Sequence, residues 1–383
     1  MNYLVENPVF VEYTAANTLP VTLVVSKSSG GEIYRSQAFA NNTGKISWNI
    51  ADILKPHIGK TLLDDTEVLQ HIAPFLYNLS LEIDDAVVLI KNYNAVFPGG
   101  IPKHQFRKLA AADTDIFAEK LQNYTDNCFL TTRTAGDIMV LPSSEVGFLY
   151  CVGDNSTHTL TIINTDGNQT YTINIPAGVL INAISLSYVL CDMELQKGIF
   201  DIKIDGNLCL TIEVTEPAPS NERYILNFRN SWGMYELIEV TGRAISEPEY
   251  GEETVYAIYD KITDSLRNEK LRKEATEVIK AECGYRSRER LLFIRDMLQS
   301  EDVKLYGADG EWFDVLVSTD GDKIALNMAE PVSIPLTITM CEAEKLYSAE
   351  ERISLKPNVC LKDDLSNFIT TNNNKKIILD YGN

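Results

Sequence analysis

The sequence lacks the residue patterns on which most enzyme and metal sites depend. Its four histidines (His57, His71, His104 and His158) are isolated, so no two of them have the spacing of metal ligands, and no His-Glu-x-x-His motif occurs. There is no Gly-x-Ser-x-Gly elbow for an acyl-transfer serine and no glycine-rich dinucleotide fingerprint. These absences predict a chain that is not an enzyme and that holds no cofactor and no metal.

Cysteine and long apolar runs are also scarce. The seven cysteines are scattered without a Cys-x-x-Cys pair, which argues against a zinc site and against a disulfide framework. No apolar run reaches the ~18 residues that a membrane-spanning helix needs, so we expect no membrane span. The first residues do not resemble a signal peptide, and we therefore expect the chain to fold in the cytoplasm of the cell that makes it.

Positive charge is in short supply. Lys and Arg number 34 against 54 Asp and Glu, which gives a formal charge of −20. A field of that sign repels phosphate backbones, so direct binding of nucleic acid is not expected. Acidic pairs are frequent, but Asp64-Asp65, Asp84-Asp85 and Asp363-Asp364 are typical of exposed turns rather than of the paired carboxylates of a glycosidase.

What the sequence does contain is alternation of apolar and polar residues, the period of a β-strand. A two-residue turn at Asp166-Gly167 would place Ile162 opposite Tyr171, an apolar pair on one face. At Asp205-Gly206, a three-residue loop that includes Asn207 aligns the flanking apolar residues better than a two-residue turn. The pattern predicts a mainly β chain.

We predict three β-sandwich-like domains in tandem. The N-terminal domain covers residues 1–112, a polar linker covers 113–127, the central domain covers 128–246 and the C-terminal domain covers 247–383. The second boundary is marked by the stretch SEPEYGEE, which contains proline, glycine and four acids.

One helix is predicted to pack in the C-terminal domain, near residues 287–299. Ser287 is a suitable N-cap, and one apolar face is formed at helical spacing by Leu291, Ile294 and Leu298. The preceding segment, 262–283, is open to two interpretations. Helical spacing is shown there by Leu271, Ala275 and Val278, whereas local support for strands is weak.

The stretch YILNFRNSWGMYELIEVTG, Tyr224–Gly242, combines two alternating apolar runs with a polar, aromatic centre, Asn230-Ser231-Trp232-Gly233. Such a centre is compatible with a strand-to-strand corner and with an aromatic platform that stacks on sugars. The three tryptophans fall one to each predicted domain beside strand residues, which favours a structural role. We therefore predict a corner packed inside the central domain, where Trp232→Ala would cost ~3–5 kcal/mol, as for a buried aromatic residue.

The same stretch resembles a segment of tail and baseplate structural proteins of phages and prophages of gut anaerobes. In those proteins an apolar strand, an Asn-Ser/Ala-aromatic-Gly turn and a strand ending in Thr-Gly follow one another, as LNFRNSWGMYE leads here into LIEVTG. A second segment is similar as well: Gly284-Tyr285, then LLFIRDMLQS, VKLY and WFDVLVS, a helix followed by two strands. The resemblance also implies strands in 262–283.

The resemblance implies a non-enzymatic structural component of a phage virion, located in the tail or baseplate. Its partners would be other tail proteins and copies of itself in a symmetric homo-oligomer or ring, joined through edge strands. The alternative is a glycan-binding adhesion module of a fibre or cell-surface assembly, whose partner is a host-surface glycan. In the first case the chain is made and folded in the host cytoplasm and resides in the virion tail.

Overall fold

A computed structural model shows a mainly β protein, as the alternating pattern predicts. The structure describes residues 2–15, 19–59, 63–64, 66–111, 117, 128–133, 138–167, 169–219, 223–251, 255–262, 264–270, 274–307, 310–321, 331–342, 359–360 and 378–379. The chain forms two compact units. Unit 1 contains residues 1–139, 147–213 and 230–234, and unit 2 contains residues 140–146, 214–229 and 235–383.

Unit 1 contains most of the short helices. They are α1 (Ala51–Leu54), α2 (Lys103–Ala111) and α3 (Leu186–Asp192), with a 3-10 turn at Lys55–His57. Its strands are β1 (Asn2–Leu4), β2 (Phe10–Thr14), β3 (Val21–Lys27), β4 (Glu32–Ala38), β5 (Lys45–Asn49), β6 (Leu69–Ile72), β7 (Phe75–Ile83), β8 (Ala86–Phe97), β10 (Phe148–Val152), β11 (His158–Asn164), β12 (Thr170–Ile175), β13 (Ile181–Ser185), β14 (Gly198–Ile204) and β15 (Asn207–Thr215), the last of which runs into unit 2. Strand β9 (Met139–Pro142) likewise crosses the division between the units.

Three main sheets organise unit 1. The first has the order β1-β8-β7-β3-β4, and its edge strand β1 runs parallel to β8 with Tyr3 opposite Val96. The second has the order β10-β13-β6, and the third places β12, β11, β14 and β15 side by side. Side chains that alternate inward from the first sheet and from the β2–β5 pair form one core, which includes Val25, Trp48 and Tyr77.

Unit 2 is built on a seven-stranded sheet with the order β17-β16-β24-β25-β26-β23-β18. Three two-stranded pairs accompany it: β19 with β22, β20 with β21, and β27 with β28. Its helix is α4 (Arg288–Gln299), and a 3-10 turn covers Ser143–Glu145. Its strands are β16 (Tyr224–Arg229), β17 (Tyr235–Val240), β18 (Ala244–Ser246), β19 (Glu249–Tyr250), β20 (Val255–Asp260), β21 (Ser265–Lys270), β22 (Ala275–Thr276), β23 (Val278–Glu282), β24 (Val303–Tyr306), β25 (Trp312–Ser318), β26 (Pro335–Met340), β27 (Val359–Cys360) and β28 (Ile378–Leu379).

The predicted C-terminal helix is confirmed as α4. Leu291 and Ile294 are buried in the core of unit 2, and Leu298 packs against that core. Ser287 occupies the N-cap position with an extended backbone, but its side chain makes no capping hydrogen bond. The carbonyl of Ser287 instead accepts from the Leu291 amide at 3.0 Å, so the helix begins at the predicted residue without the predicted cap bond.

The ambiguous segment 262–283 forms strands where it is described, as the resemblance implies. Its residues contribute to β21, β22 and β23. Of the residues with helical spacing, Leu271 lies outside the described residues, and Ala275 and Val278 belong to different strands. Long-range pairing decides the outcome here, because β23 is held between β26 and β18 in the large sheet.

The register predicted for one hairpin is correct, and the loop predicted for another is wrong. Ile162 lies opposite Tyr171 in the β11–β12 hairpin, as the two-residue turn requires. At the second site only Asp205 and Gly206 separate β14 from β15, so the predicted three-residue loop is wrong. Both turn residues have positive φ, 50° and 82°, which is the pattern of a tight type I′ turn.

The grouping of the chain differs from the predicted order of three sequential domains. In unit 1, β6 pairs with β13, which joins residues 69–72 to 181–184 across the predicted linker. In unit 2, β16 pairs with β24, which joins residues 226–228 to 303–305 across the predicted boundary at 246. Most of the predicted linker lies outside the described residues, although Phe117 is buried and meets Phe97 edge-on at 5.3 Å. Local composition carries no signal for these pairings.

The neighbouring leucines of α4 allow a matched test of the unit 2 core. Leu291 is 0% exposed and Leu292 is 45% exposed. We expect Leu291→Ala to lower the free energy of unfolding by ~2–5 kcal/mol, because it removes buried methyl groups and leaves a cavity. Leu292→Ala should change it by less than ~0.5 kcal/mol. Urea unfolding followed by circular dichroism compares the two, and equal losses would contradict the observed orientation of α4.

Candidate functional site

The predicted corner residues form a compact turn stabilised by one asparagine. The backbone amide of Asn230 donates to the backbone carbonyl of Met234 at 2.7 Å. The backbone amide of Gly233 donates to the backbone carbonyl of Asn230 at 2.8 Å. Oδ1 of Asn230 accepts from the amides of Trp232 and Met234, each at 3.0 Å. The buried Asn230 side chain therefore binds main-chain groups that the turn would otherwise leave without partners.

Within unit 1, the corner makes backbone contact with the loop that follows β8. The Gly100 amide donates to the Ser231 carbonyl at 2.6 Å. Gly99 and Gly233 both have positive φ, and a Cβ on Gly99 would lie 2.2 Å from the Trp232 carbonyl carbon. A Cβ on Gly233 would lie 2.5 Å from Cβ of Pro98. Only glycine is compatible with this approach at both positions.

Trp232 is partly buried and packs against a core cluster of unit 1, which includes Leu4, Phe97 and Leu130. Nδ2 of Asn230 donates to the Leu130 carbonyl at 3.1 Å. The corner thus packs against residues of the predicted N-terminal domain as well as the central one. Because the indole is not fully enclosed, the cost of Trp232→Ala should fall below the ~3–5 kcal/mol expected for a buried ring.

The two segments that carry the sequence resemblance meet inside unit 2. In the sheet, Leu226 of the first segment lies opposite Leu305 of the second. In the core, the ring of Phe228 meets that of Phe293 on α4 edge-on, with centroids 5.0 Å apart. The Gly242 amide, after Thr241, donates to the Glu282 carbonyl at 2.9 Å. Segments separated by about forty residues in the sequence therefore form one packed core.

The Thr-Gly end of the first segment also lies against the glycine that opens the second. A Cβ on Gly284 would lie 2.2 Å from Oγ1 of Thr241, and a Cβ on Gly242 would lie 2.3 Å from the Glu282 carbonyl oxygen. Contact with the Glu282 backbone at Gly242, and with the Thr241 side chain at Gly284, explains why both positions are glycine. The motif residues are used for packing at this junction.

A buried group of charged side chains lies in the same part of unit 2. The guanidinium of Arg286 donates to the carbonyl of Glu239 and lies 3.5 Å from the Glu145 carboxylate. The Glu239 carboxylate accepts from the Ser144 hydroxyl and lies 3.3 Å from Arg223. Burial, reinforced by nearby Glu145, raises the pKa of Glu239 against the opposing effects of Ser144 and the two arginines. Each buried acid thus has a basic partner, which is the arrangement of a structural ion network.

A second titratable group, in unit 1, was not anticipated from the sequence. Nδ1 of His158 lies 2.7 Å from Asp205, and Nε2 lies 2.8 Å from Asp154. Burial alone would lower the pKa of His158, but its hydrogen bonds to Asp205 and Asp154 outweigh that effect and raise it. The hydrogen bond to His158 lowers the pKa of Asp205. Asp205 is also one of the two positive-φ residues of the β14–β15 turn. Its bond to His158 therefore links that turn to the start of β11.

The other acidic and histidine side chains considered as candidate site residues lie apart from one another in the part of the chain that the structure describes. Asp84 and Asp85 form the exposed turn between β7 and β8, as predicted. The ring of His57 stacks on that of Phe75, and His71 is exposed. Within the described ranges, no group of three or more His, Cys, Asp or Glu side chains is placed to hold a metal ion. Across the same ranges, no helix is long and apolar enough to cross a membrane.

Comparisons with known proteins give little guidance. No family model matches this chain. No curated protein matches it either. A solved structure of a bacterial ice-binding adhesin, described for its retention at the host cell surface, aligns at 10% identity and a TM-score of 0.17, over 72% of this chain and 86% of that one. The BSP domain of a biofilm-associated protein aligns at 12% identity and a TM-score of 0.14, over 72% of this chain and 60% of that one. Similarity at this level supports no argument about function.

Two glycines of unit 1 with similar backbone angles allow a test of the corner contact. Gly99 (φ +92°) faces the Trp232 backbone, whereas a methyl group on Gly30 (φ +98°) would meet no atom within 4 Å beyond its chain neighbours. Gly30→Ala should cost only the ~1–2 kcal/mol of left-handed backbone strain. Gly99→Ala should cost more, because the new methyl group must separate the two loops. Urea unfolding measures both, and equal losses would argue against the close approach at Gly99.

The His158 bridge predicts a specific pH dependence of stability. Since the pKa of His158 is raised in the folded state, its contribution is fully present below the unfolded value of ~6.5 and is lost as the pH rises through the folded value. The contribution from Asp205, whose pKa is lowered, is lost only as the pH falls through its folded value.

We expect the difference in melting temperature between the native protein and His158→Gln to be largest at mildly acidic pH and to shrink toward pH ~9. Thermal melts across this range measure it. His71→Gln, at an exposed histidine of the same unit, is the control and should show no such trend. A difference for His158→Gln that is constant with pH would exclude an ionic bridge.

Proposed function

We propose that this chain is a non-enzymatic structural component of a phage virion, located in the tail or baseplate and acting through subunit contacts. The observation that carries the proposal is that both segments with the sequence resemblance serve packing. Leu226, Phe228 and Phe293 are buried side by side in one core, and Gly242 and Gly284 leave room for close tertiary contacts. The residues that carry the resemblance thus build the fold and are not placed to bind a ligand.

The corner supports the same proposal. Its asparagine is buried and bonded to the backbone, and its tryptophan packs against a core cluster. A sugar platform needs an exposed aromatic face beside free polar groups. Partial burial of Trp232 therefore favours a role in the scaffold over glycan binding, which was the alternative suggested by the sequence.

One observation keeps glycan binding as a second candidate. Trp312 is exposed on β25, and its ring is tilted 60° to that of Tyr306 with centroids 5.0 Å apart. An exposed aromatic ring is suited to stacking on a sugar face. A glycan array probed with the native chain and with Trp312→Ala tests this candidate, since only binding that the substitution abolishes would support it.

The primary test concerns intact particles from a culture that carries the gene. We expect the chain in purified, tail-bearing virions, in a fixed stoichiometry with other tail proteins that survives density-gradient centrifugation. Deletion of the gene should yield particles without complete tails, and the native gene supplied in trans should restore them. Absence of the chain from purified virions and tail complexes would overturn the proposal.

A further inference from the structure

Among the described residues of unit 2, the β20–β21 hairpin carries a concentration of exposed apolar side chains. β20 reads Val-Tyr-Ala-Ile-Tyr-Asp, and every residue from Val255 to Tyr259 is exposed. Tyr259 is 53% exposed, Leu266 on the partner strand is 70% exposed and Ile262 in the connecting turn is 95% exposed. A surface of this kind, concentrated on one element, is typical of an interaction site.

Within the described part of the chain, the hairpin has an edge beside which no further strand lies, so this edge can accept a strand. β20 and β21 form a sheet of two strands, and no other described strand joins it. A hairpin of two strands is only marginally stable in water, and further strands with an apolar face stabilise it. A long, apolar edge strand is also the usual surface for strand addition from another chain.

The charge of the hairpin indicates which partner fits. Residues 255–270 contain three acids (Asp260, Asp264, Glu269) and three bases (Lys261, Arg267, Lys270), so their formal charge is zero, in a chain whose total is −20. Two copies of so acidic a chain repel each other over most of their surfaces. The hairpin offers a neutral surface on which a second copy can approach, and β20 is uncharged from Val255 to Tyr259.

The sequence of β20 is also complementary to itself. Antiparallel pairing centred on Ala257 would place Val255 opposite Tyr259 of the second copy, and Tyr256 opposite Ile258. Pairs of aromatic and β-branched residues are among the favourable cross-strand neighbours. Because opposed residues share a face, Val255 and Tyr259 of both copies would lie on the same side as Leu266. The result would be an apolar face on the two central strands, extended at Leu266 of each outer strand.

We propose that two copies of this chain pair through β20, antiparallel and centred on Ala257, to form a four-stranded sheet. The inference rests on the proposed function in so far as it names one of the subunit contacts. The contact is two-fold and isologous, so it joins chains in pairs and differs from the head-to-tail contacts that would close a ring.

Disulfide trapping tests the register in the purified full-length chain. In the proposed sheet the two Ala257 Cα atoms would lie roughly 4.5–5.5 Å apart, within the range that a disulfide spans. Ala257→Cys should therefore give a covalent dimer under mild oxidation. Asn268→Cys is the matched control, because it lies opposite Ala257 on β21 and would be two further strand spacings from its counterpart. The unsubstituted chain under the same oxidant accounts for any linkage through exposed Cys341.

A mixing experiment tests the pairing register more directly. Val255→Cys and Tyr259→Cys should each give little covalent dimer alone and should crosslink when mixed, because only the mixed pair places two cysteines opposite each other. Self-linkage of Val255→Cys, or linkage of Asn268→Cys in place of Ala257→Cys, would overturn the proposed pairing.

Sedimentation measures the association without crosslinking. The fraction of dimer should rise between 50 mM and 500 mM salt, as screening weakens the repulsion between acidic chains. Ala257→Lys places like charges opposite each other and should weaken association at least tenfold, whereas Asn268→Lys should change it little. Unchanged thermal melts would show that both variants are folded.

The two proposals fail separately. If Ala257→Cys stays monomeric at both salt concentrations while the chain is present in purified virions, the hairpin contact is wrong and the structural role stands. If the covalent dimer forms but the chain is absent from virions, the contact stands and the virion role is wrong.

Discussion

Main-chain pairing between strands that are far apart in the sequence is the constraint on which both units depend. In unit 2, strand β16 lies between its hairpin partner β17 and the distant β24, and the same sheet continues to β26. Side chains from these strands and from α4 meet in one core. No single hairpin buries enough apolar surface to be stable alone, so the strands of such a sheet stabilise one another.

Glycine is required where backbones approach more closely than side chains allow. Gly99 and Gly233 bring two loops of unit 1 together. In unit 2, Gly242 meets the Glu282 backbone and Gly284 meets the Thr241 side chain. Two of these glycines, Gly233 and Gly242, lie in the single stretch Tyr224–Gly242. The Asn-Ser-Trp-Gly turn and the Thr-Gly ending are therefore explained by tight tertiary contacts.

The formal charge of −20 has different consequences in the interior and on the surface of the chain. Inside unit 2, Glu239 and Glu145 are compensated by arginines, because an unpaired buried carboxylate would be strongly destabilising. On the surface, acidic residues keep copies of the chain apart, and the neutral hairpin at 255–270 interrupts that field. The subunit contacts that we propose would need such an interruption, since like-charged surfaces repel each other.

The sequence by itself determined the features that depend on near neighbours. Alternation predicted the β class, the turn at Asp166-Gly167 predicted the register of its hairpin, and helical spacing predicted α4. The tertiary structure decided what depends on distant residues. Pairing of β6 with β13 and of β16 with β24 regrouped the predicted domains, and Asp205 reached His158 from a turn far along the chain. Apolar periodicity specifies which face of a strand is buried, but many partners satisfy that face equally well. The choice among them is made by the free energy of the assembled core, which no short stretch of sequence contains.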